Sequence, residues 1–540
     1  MASAHEQWYR LRLEMYKRVR QHVAAWLGPE SPTLTKYREE FDRPLRTRKW
    51  VESSREALVD ALNQARLIWL GDFHAMDQSQ RGHLRLLKSL DSGSAKVLAL
   101  ECISADSQTA VDRFLAGEIS EESFLQSVRW GMEWGFPWSH YRPLFQWAID
   151  QKVPILALNQ PTKRKSRPPT LRQRDVFAAK LLAQVLRQSP HTQVVVIYGE
   201  WHLAAPHLPK RTQVLVPTLR RDQQISVWQN CDPVYFQLAR QGRDAEVDVV
   251  QWSATTWGVL SVPPWVKWQS YLMYLEQQID SDLPTTDLTD QVAHYLQILA
   301  QFFNVPVNVE SLAVYAVGDE TLQNKLESLS SPRLRRYFLD MVRASRSFVS
   351  PELGLCFLGK ASVNEAASLA MQFLHMQLSR QPKTWLQMPE HFQRQIFAQA
   401  MAYVGAKIIN PKLKTDTVQD LRARMESFAR GRPKGARHSE QGREVLQLAL
   451  QQRMREAWGE TLPPVRVRYP HSYTEAARIL GGLMGERISA GLQTGLLGRS
   501  TLLQWLKKSG SQDNFPLFYA ETLQIVEGIP EPFQTKTERL

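Results

Sequence analysis

Cysteine is scarce: 540 residues hold three, Cys102, Cys231 and Cys356, far apart and with no C-x-x-C pair. That spacing supports neither a disulfide framework nor a thiolate zinc site. Long apolar runs are missing too, and nothing approaches the roughly 18 residues of a membrane-spanning helix. The first 28 residues mix charge throughout and offer no apolar h-region, so a cleaved signal peptide is not expected. No G-x-S-x-G elbow, P-loop or dinucleotide fingerprint occurs, which disfavours a serine nucleophile and nucleotide chemistry. Hydrophobic residues make up 43% and charged residues 22%, too apolar a mixture for disorder. At this length two or more cores are expected. The chain therefore reads as a soluble, cytoplasmic, multidomain protein with no membrane span.

The net charge of +13 is unevenly spread. Between Pro161 and Arg221 stand twelve basic residues and only two acids, Asp175 and Glu200, so most of the excess sits in one ninth of the chain. A nucleic-acid binder would spread its charge over one face of a whole domain, so nucleic acid is not an expected partner. The run Lys163–Arg167 reads as a solvated loop, or as a seat for a small anionic ligand.

Residues 1–54 read as an N-terminal helical extension. Residues 55–262 carry apolar runs of strand length at Arg66–Leu70, Lys96–Leu100, Val153–Leu158 and Gln193–Tyr198. Each is continuous rather than alternating, as in strands covered on both faces of a parallel sheet. Helix-period segments separate them at Gln78–Leu90, Ser107–Ala116, Glu121–Trp130, Tyr141–Asp150 and Leu171–Gln188. Further strand signals stand at Val214–Pro217, Ile225–Trp228 and Trp257–Val262. The expected fold is α/β, a mainly parallel sheet with helices on both faces. Residues 263–540 then read as a mostly α-helical domain, interrupted by a basic Gly/Pro loop near 430–443. The segment 362–370 echoes 472–480, either as a duplication or as two similar helix starts.

In an open parallel sheet, ligands bind beyond the carboxyl ends of the strands. The first strand is followed by Gly71-Asp72-Phe73-His74, the second by Glu101, the third by Asn159-Gln160, and the fourth by Gly199-Glu200-Trp201-His202. Residues i and i+2 of an extended segment project to one side, so Asp72 with His74, and Glu200 with His202, each pair a carboxylate with an imidazole. Such pairs suit a divalent metal, or general-base work in which the carboxylate fixes the imidazole tautomer. A single histidine here would read as a plug at a sheet end. Two in matched contexts, with Glu101 between them, point to a site. Cys102 is the only thiol near it.

These motifs resemble the superfamily that joins ChaN-like haem-binding proteins with Tiki, TraB and erythromycin-esterase-like proteins, and most closely its ChaN-like branch. The resemblance rests on LGDFH at 70–74, LALE at 98–101, YRPLF at 141–145, LALN at 156–159 and YGEWHL at 198–203, and covers roughly Tyr37 to Val262. It implies binding of haem or another metal-containing ligand. His74, His202 and Tyr141 are then candidate ligands, Arg142 a partner for carboxylates, and Trp130, Trp134, Phe136, Trp138 and Trp201 candidate walls. Uptake lipoproteins of this kind carry a signal peptide and a lipobox cysteine, neither of which is evident here. Tiki-like relatives imply an alternative, a metal-dependent hydrolase with His74, Glu101 and His202 on a divalent ion and Glu200 or Asp72 in catalysis. A third reading is an inactive scaffold that acts through the helical half. Whether the chain is an enzyme, and whether it forms a homo-oligomer, stay open at this level.

Overall fold

A computed structural model describes residues 4–91, 93–162, 169–279, 289–379, 391–429, 436–459, 465–469, 471–510 and 514–530. The basic run Lys163–Arg167 lies outside the described residues. The chain divides into two compact units, residues 1–275 and 276–539.

The first unit is built on an eight-stranded sheet: β1 Val51–Ser53, β2 Leu67–Asp72, β3 Lys96–Ser104, β4 Ile155–Asn159, β5 Gln193–Gly199, β6 Gln224–Gln229, β7 Val249–Ser253 and β8 Thr256–Val259. Its strand order is β1-β7-β8-β6-β2-β5-β3-β4. From β4 across to β8 every pairing is parallel, while β7 and β1 add an antiparallel margin. The continuous apolar runs have a direct cause. Ile68, Leu70, Leu98, Leu100, Val195 and Ile197 face one core, against helices Arg55–Gln64, Asp77–Ser89 and Trp138–Gln151. Their neighbours Leu67, Trp69, Ala99, Val194, Val196 and Tyr198 face a second core, against helix Leu171–Gln188. With both faces dry, no polar residue is needed at alternate positions.

Two local expectations are corrected, and one strand is added. Val214–Pro217 is not a strand: Leu208–Leu215 is a helix started by Pro209 in its first turn, and Val214 stands 68% exposed on it. Strand β7, which the sequence signals did not reveal, forms a hairpin with β8. The stretch read as a loop through residue 443 is helical from Ala436 onward, while residues 430–435 lie outside the described residues. Gly442 is accommodated within that helix close to Phe428, where a Cβ would meet the ring at 3.2 Å.

The second unit is helix-rich. It also holds a three-stranded sheet of β9 Val314–Ala316, β10 Phe348–Ser350 and β11 Leu355–Leu358, packed on Leu326, Leu334 and Phe338. Its long helices His391–Ile409 and Ser472–Thr494 lie close because Gly481 and Gly485 remove side chains where Ala400 approaches. Both halves of the internal echo fall at helix starts, Val363–Ser379 and Ser472–Thr494. Among the described residues no helix is long and apolar enough to cross a membrane.

Candidate functional site

The carboxyl ends of β2, β3 and β5 lie side by side, so the residues that leave them converge. Gly199 closes β5, and its backbone N–H donates to Glu101 Oε2 at 2.6 Å. Where a Cβ would stand on Gly199, Glu101 Oε2 is 3.2 Å away, His74 Nε2 3.3 Å and His202 Cδ2 3.5 Å. Three side chains from three strand ends thus surround one point, which only glycine leaves open. Glu101 reaches it from an irregular stretch of β3, whose pairing with β4 shifts register between Leu100 and Ser104.

Behind His74 lies a buried carboxylate hub. Asp72 Oδ2 meets His74 Nδ1 at 2.9 Å and accepts from the Tyr141 hydroxyl at 2.8 Å. Its Oδ1 accepts from Ser79 at 3.0 Å and Gln80 at 2.7 Å, and meets His83 Nε2 at 3.2 Å. Ser79, Gln80 and His83 lie on one face of helix Asp77–Ser89, which follows β2 directly. His83 Nδ1 is 2.9 Å from the Gln229 amide nitrogen. The network is consistent if Nδ1 accepts from that amide and Nε2–H donates to Asp72. Burial alone would raise the Asp72 pKa, but bonds from His74 and His83 outweigh it and hold the carboxyl far below its usual range. Burial would likewise lower His74, and the bond to Asp72 with the charges of Asp72 and Glu101 reverses this, raising it. Its Nε2 stands 3.6 Å from Glu101 Oε2, and its side chain is 22% exposed. Trp134 and Phe136 flank the ring, with centroids 4.6 Å and 5.2 Å away.

His202 has its own carboxylate. Its Nδ1 lies 2.6 Å from Asp175 Oδ1, and Asp175 Oδ2 accepts from Tyr37 at 3.0 Å. Asp175 comes from helix Leu171–Gln188 and is fully buried. The two histidines are therefore matched: each has Nδ1 on a buried carboxylate. Arg174 places Nη1 3.4 Å from Glu101 Oε1, and Arg211 stands 3.9 Å from Asp175. The buried Tyr198 hydroxyl and Trp134 Nε1 have no hydrogen-bond partner among the described residues.

His74, Glu101 and His202 are thus brought together, with Asp72 behind His74. Tyr141 is buried and commits its hydroxyl to Asp72, where it holds the hub rather than facing outward. Arg142 lies apart, its Nε on the exposed Glu121 at 2.6 Å. Glu200 also lies apart. Its carboxylate takes the Lys267 ammonium at 2.9 and 3.1 Å, in a buried pair that sequence reasoning did not foresee. Trp201 packs partly buried with Phe41 and Trp228, away from His74. Sequence reasoning also missed Asp175, Ser79, Gln80 and His83. One signal for Asp175 was present, since it is one of two acids in the basic window. Among the described residues, no group of three or more His, Cys, Asp or Glu side chains is arranged to hold a metal ion.

Residues 58–167 match a family model described as haem-binding uptake, Tiki superfamily, ChaN. The match takes in β2 to β4, with Asp72, His74, Glu101 and Tyr141, and lies in the N-terminal half of the chain. Comparisons with curated proteins and with solved structures give no match.

Proposed function

We propose that residues 1–275 bind haem at the carboxyl edge of the sheet, with His74 as the axial ligand. The observation that carries this reading is the fixed imidazole: Asp72 holds Nδ1, so that Nε2, once deprotonated, is the nitrogen left to take iron, on a partly open ring flanked by Trp134 and Phe136. An axial haem histidine needs this combination of oriented ring, polarised imidazole and aromatic surroundings. Arg174 and Arg211, both part-exposed, would hold the propionates. Trp134, whose buried Nε1–H has no partner among the described residues, would donate to the ligand's polar groups or to the waters around it. When bound, haem would supply an iron centre, with His74 as the residue that holds it. The haem-binding description of the family matched by residues 58–167 supports the same reading.

A bare divalent ion on His74, Glu101 and His202 is a second reading: the three converge around Gly199, and as they stand they are not arranged to hold an ion, so it requires them to close up. As a hydrolase it would need a base other than Glu200, whose carboxylate is committed to Lys267. The test is a haem titration of the full chain beside His74→Ala, read in the Soret band. A saturable shift that the variant loses supports haem at His74. A variant that keeps the wild-type spectrum, or a wild type with no saturable shift, overturns it. Bound zinc, manganese or iron that is lost in His74→Ala and His202→Ala would then support the second reading.

A further inference from the structure

We infer that the first unit holds a second small-molecule site, whose lining does not include His74, built to take an aromatic monocarboxylate. A cavity of about 200 Å³ lies beyond the ends of β5 and β6, bordered by Trp201 after the one and Cys231 after the other. This is the edge at which open parallel sheets take their ligands. Helices Ala4–Leu27 and Pro32–Thr47 supply Arg20 and Phe41 to the wall, and helix Asp232–Arg240 supplies Phe236. The N-terminal helices are thus walls of a cavity, not an appendage. Apolar cavities of roughly 150 Å³ accept benzene, so this volume admits one aromatic ring with a small substituent.

The charges of the lining decide what that substituent is. There are four cations, Arg20, Arg38, Arg46 and Lys267, and three acids, Asp42, Glu200 and Asp232. The acids are all engaged. Glu200 holds Lys267 at 2.9 Å, and Asp42 faces Arg46 at 3.4 Å. Asp232 accepts from Tyr16 at 2.8 Å and from Trp268 at 3.0 Å. It also stands in the first turn of its own helix, where the dipole favours a carboxylate. Arg38 pairs with Glu30, which is outside the lining, at 3.0 Å. Arg20 is left. Among the described residues it makes no hydrogen bond and no ion pair. Its guanidinium carbon lies 3.7 Å from the Trp268 ring centroid, a cation–π contact that holds the charge at the wall and gives its N–H groups no oxygen. A part-buried guanidinium with five N–H donors and no acceptor suits the two oxygens of a carboxylate. One negative charge balances the lining, and a second would have no partner. Phe41, Phe236 and Trp268 then offer apolar surface to an aromatic body. The proposal does not depend on haem binding.

Calorimetric titration of the full chain with benzoate, benzamide and acetate tests it. Benzoate should bind saturably, with benzamide and acetate each at least ten-fold weaker, because one lacks the charge and the other the ring. Arg20→Gln should weaken benzoate at least ten-fold, with circular dichroism confirming the fold. Benzoate held as tightly by Arg20→Gln as by the wild type overturns the proposal. No saturable binding of benzoate, or equal binding of benzamide or acetate, overturns it without recourse to any variant.

Discussion

Replacing Asp72 by asparagine probes the hub most sharply, because it keeps the shape and removes only the charge and one acceptor. The carboxylate has five neighbours within hydrogen-bonding distance, His74 and Tyr141 on Oδ2 and Ser79, Gln80 and His83 on Oδ1. If the asparagine oxygen takes the place of Oδ1, its NH2 group faces His74 and Tyr141. The tyrosine hydroxyl can rotate to accept, but His74 must move its proton from Nδ1 to Nε2. A hydrogen bond to a charged group contributes about 1.5–3 kcal/mol, against about 1 for a neutral one. Part of the loss over the retained bonds is offset because a buried amide costs less to desolvate than a carboxylate. The expected net loss is about 2–4 kcal/mol, or about 1 M in the urea midpoint at the slopes usual for proteins. Tryptophan fluorescence reports it well, since 14 of the 17 tryptophans lie in residues 1–275. The depressed Asp72 pKa fixes the sign with pH: its stabilisation is present above the unfolded value near 4 and is lost as pH falls below it. An unchanged midpoint at pH 7, or a wild-type advantage that grows on acidification, would refute the reasoning.

Two further outcomes follow. Because the His74 pKa is raised above 6.5, its imidazole stays protonated to higher pH than a free one; haem affinity should rise with pH through a midpoint above 6.5, and a pH-independent affinity would exclude His74 as the ligand. Gly481→Ala would place a Cβ 2.5 Å from Gln399 Cβ and 2.8 Å from the Ala400 backbone nitrogen. It should cost the second unit about 1–3 kcal/mol in calorimetric melting, and an unchanged melt would contradict the close packing of those two helices.

Much of the first unit was legible because its central strands are buried on both faces. A run such as VVVIY at 194–198 has few other physical readings, and helix Leu171–Gln188 begins and ends where its periodicity does. The margin was not legible. Strand β7 mixes Gln251 and Trp252 with valines, and its identity comes from pairing with β8 rather than from its own pattern. In the site, His74, Glu101 and His202 were readable because glycine, acid and histidine recur at strand ends. The i+2 rule placed Asp72 with His74 correctly. It failed for Glu200 and His202, because residues 200–203 form a helical turn and not an extended segment. That turn sends Glu200 to Lys267 and leaves Asp175, distant in sequence, to hold His202. Only tertiary structure brings those two together.

Chemical rescue tests the central assignment most directly. In His74→Gly, the side chain that would ligate iron is removed and a ring-sized gap is left beside Asp72. The haem spectrum should be lost, and free imidazole should restore it saturably, with a Soret position matching wild type. A His74→Gly chain that binds haem with the wild-type spectrum unaided, or one that imidazole leaves unchanged, would contradict the assignment of His74 as the haem ligand.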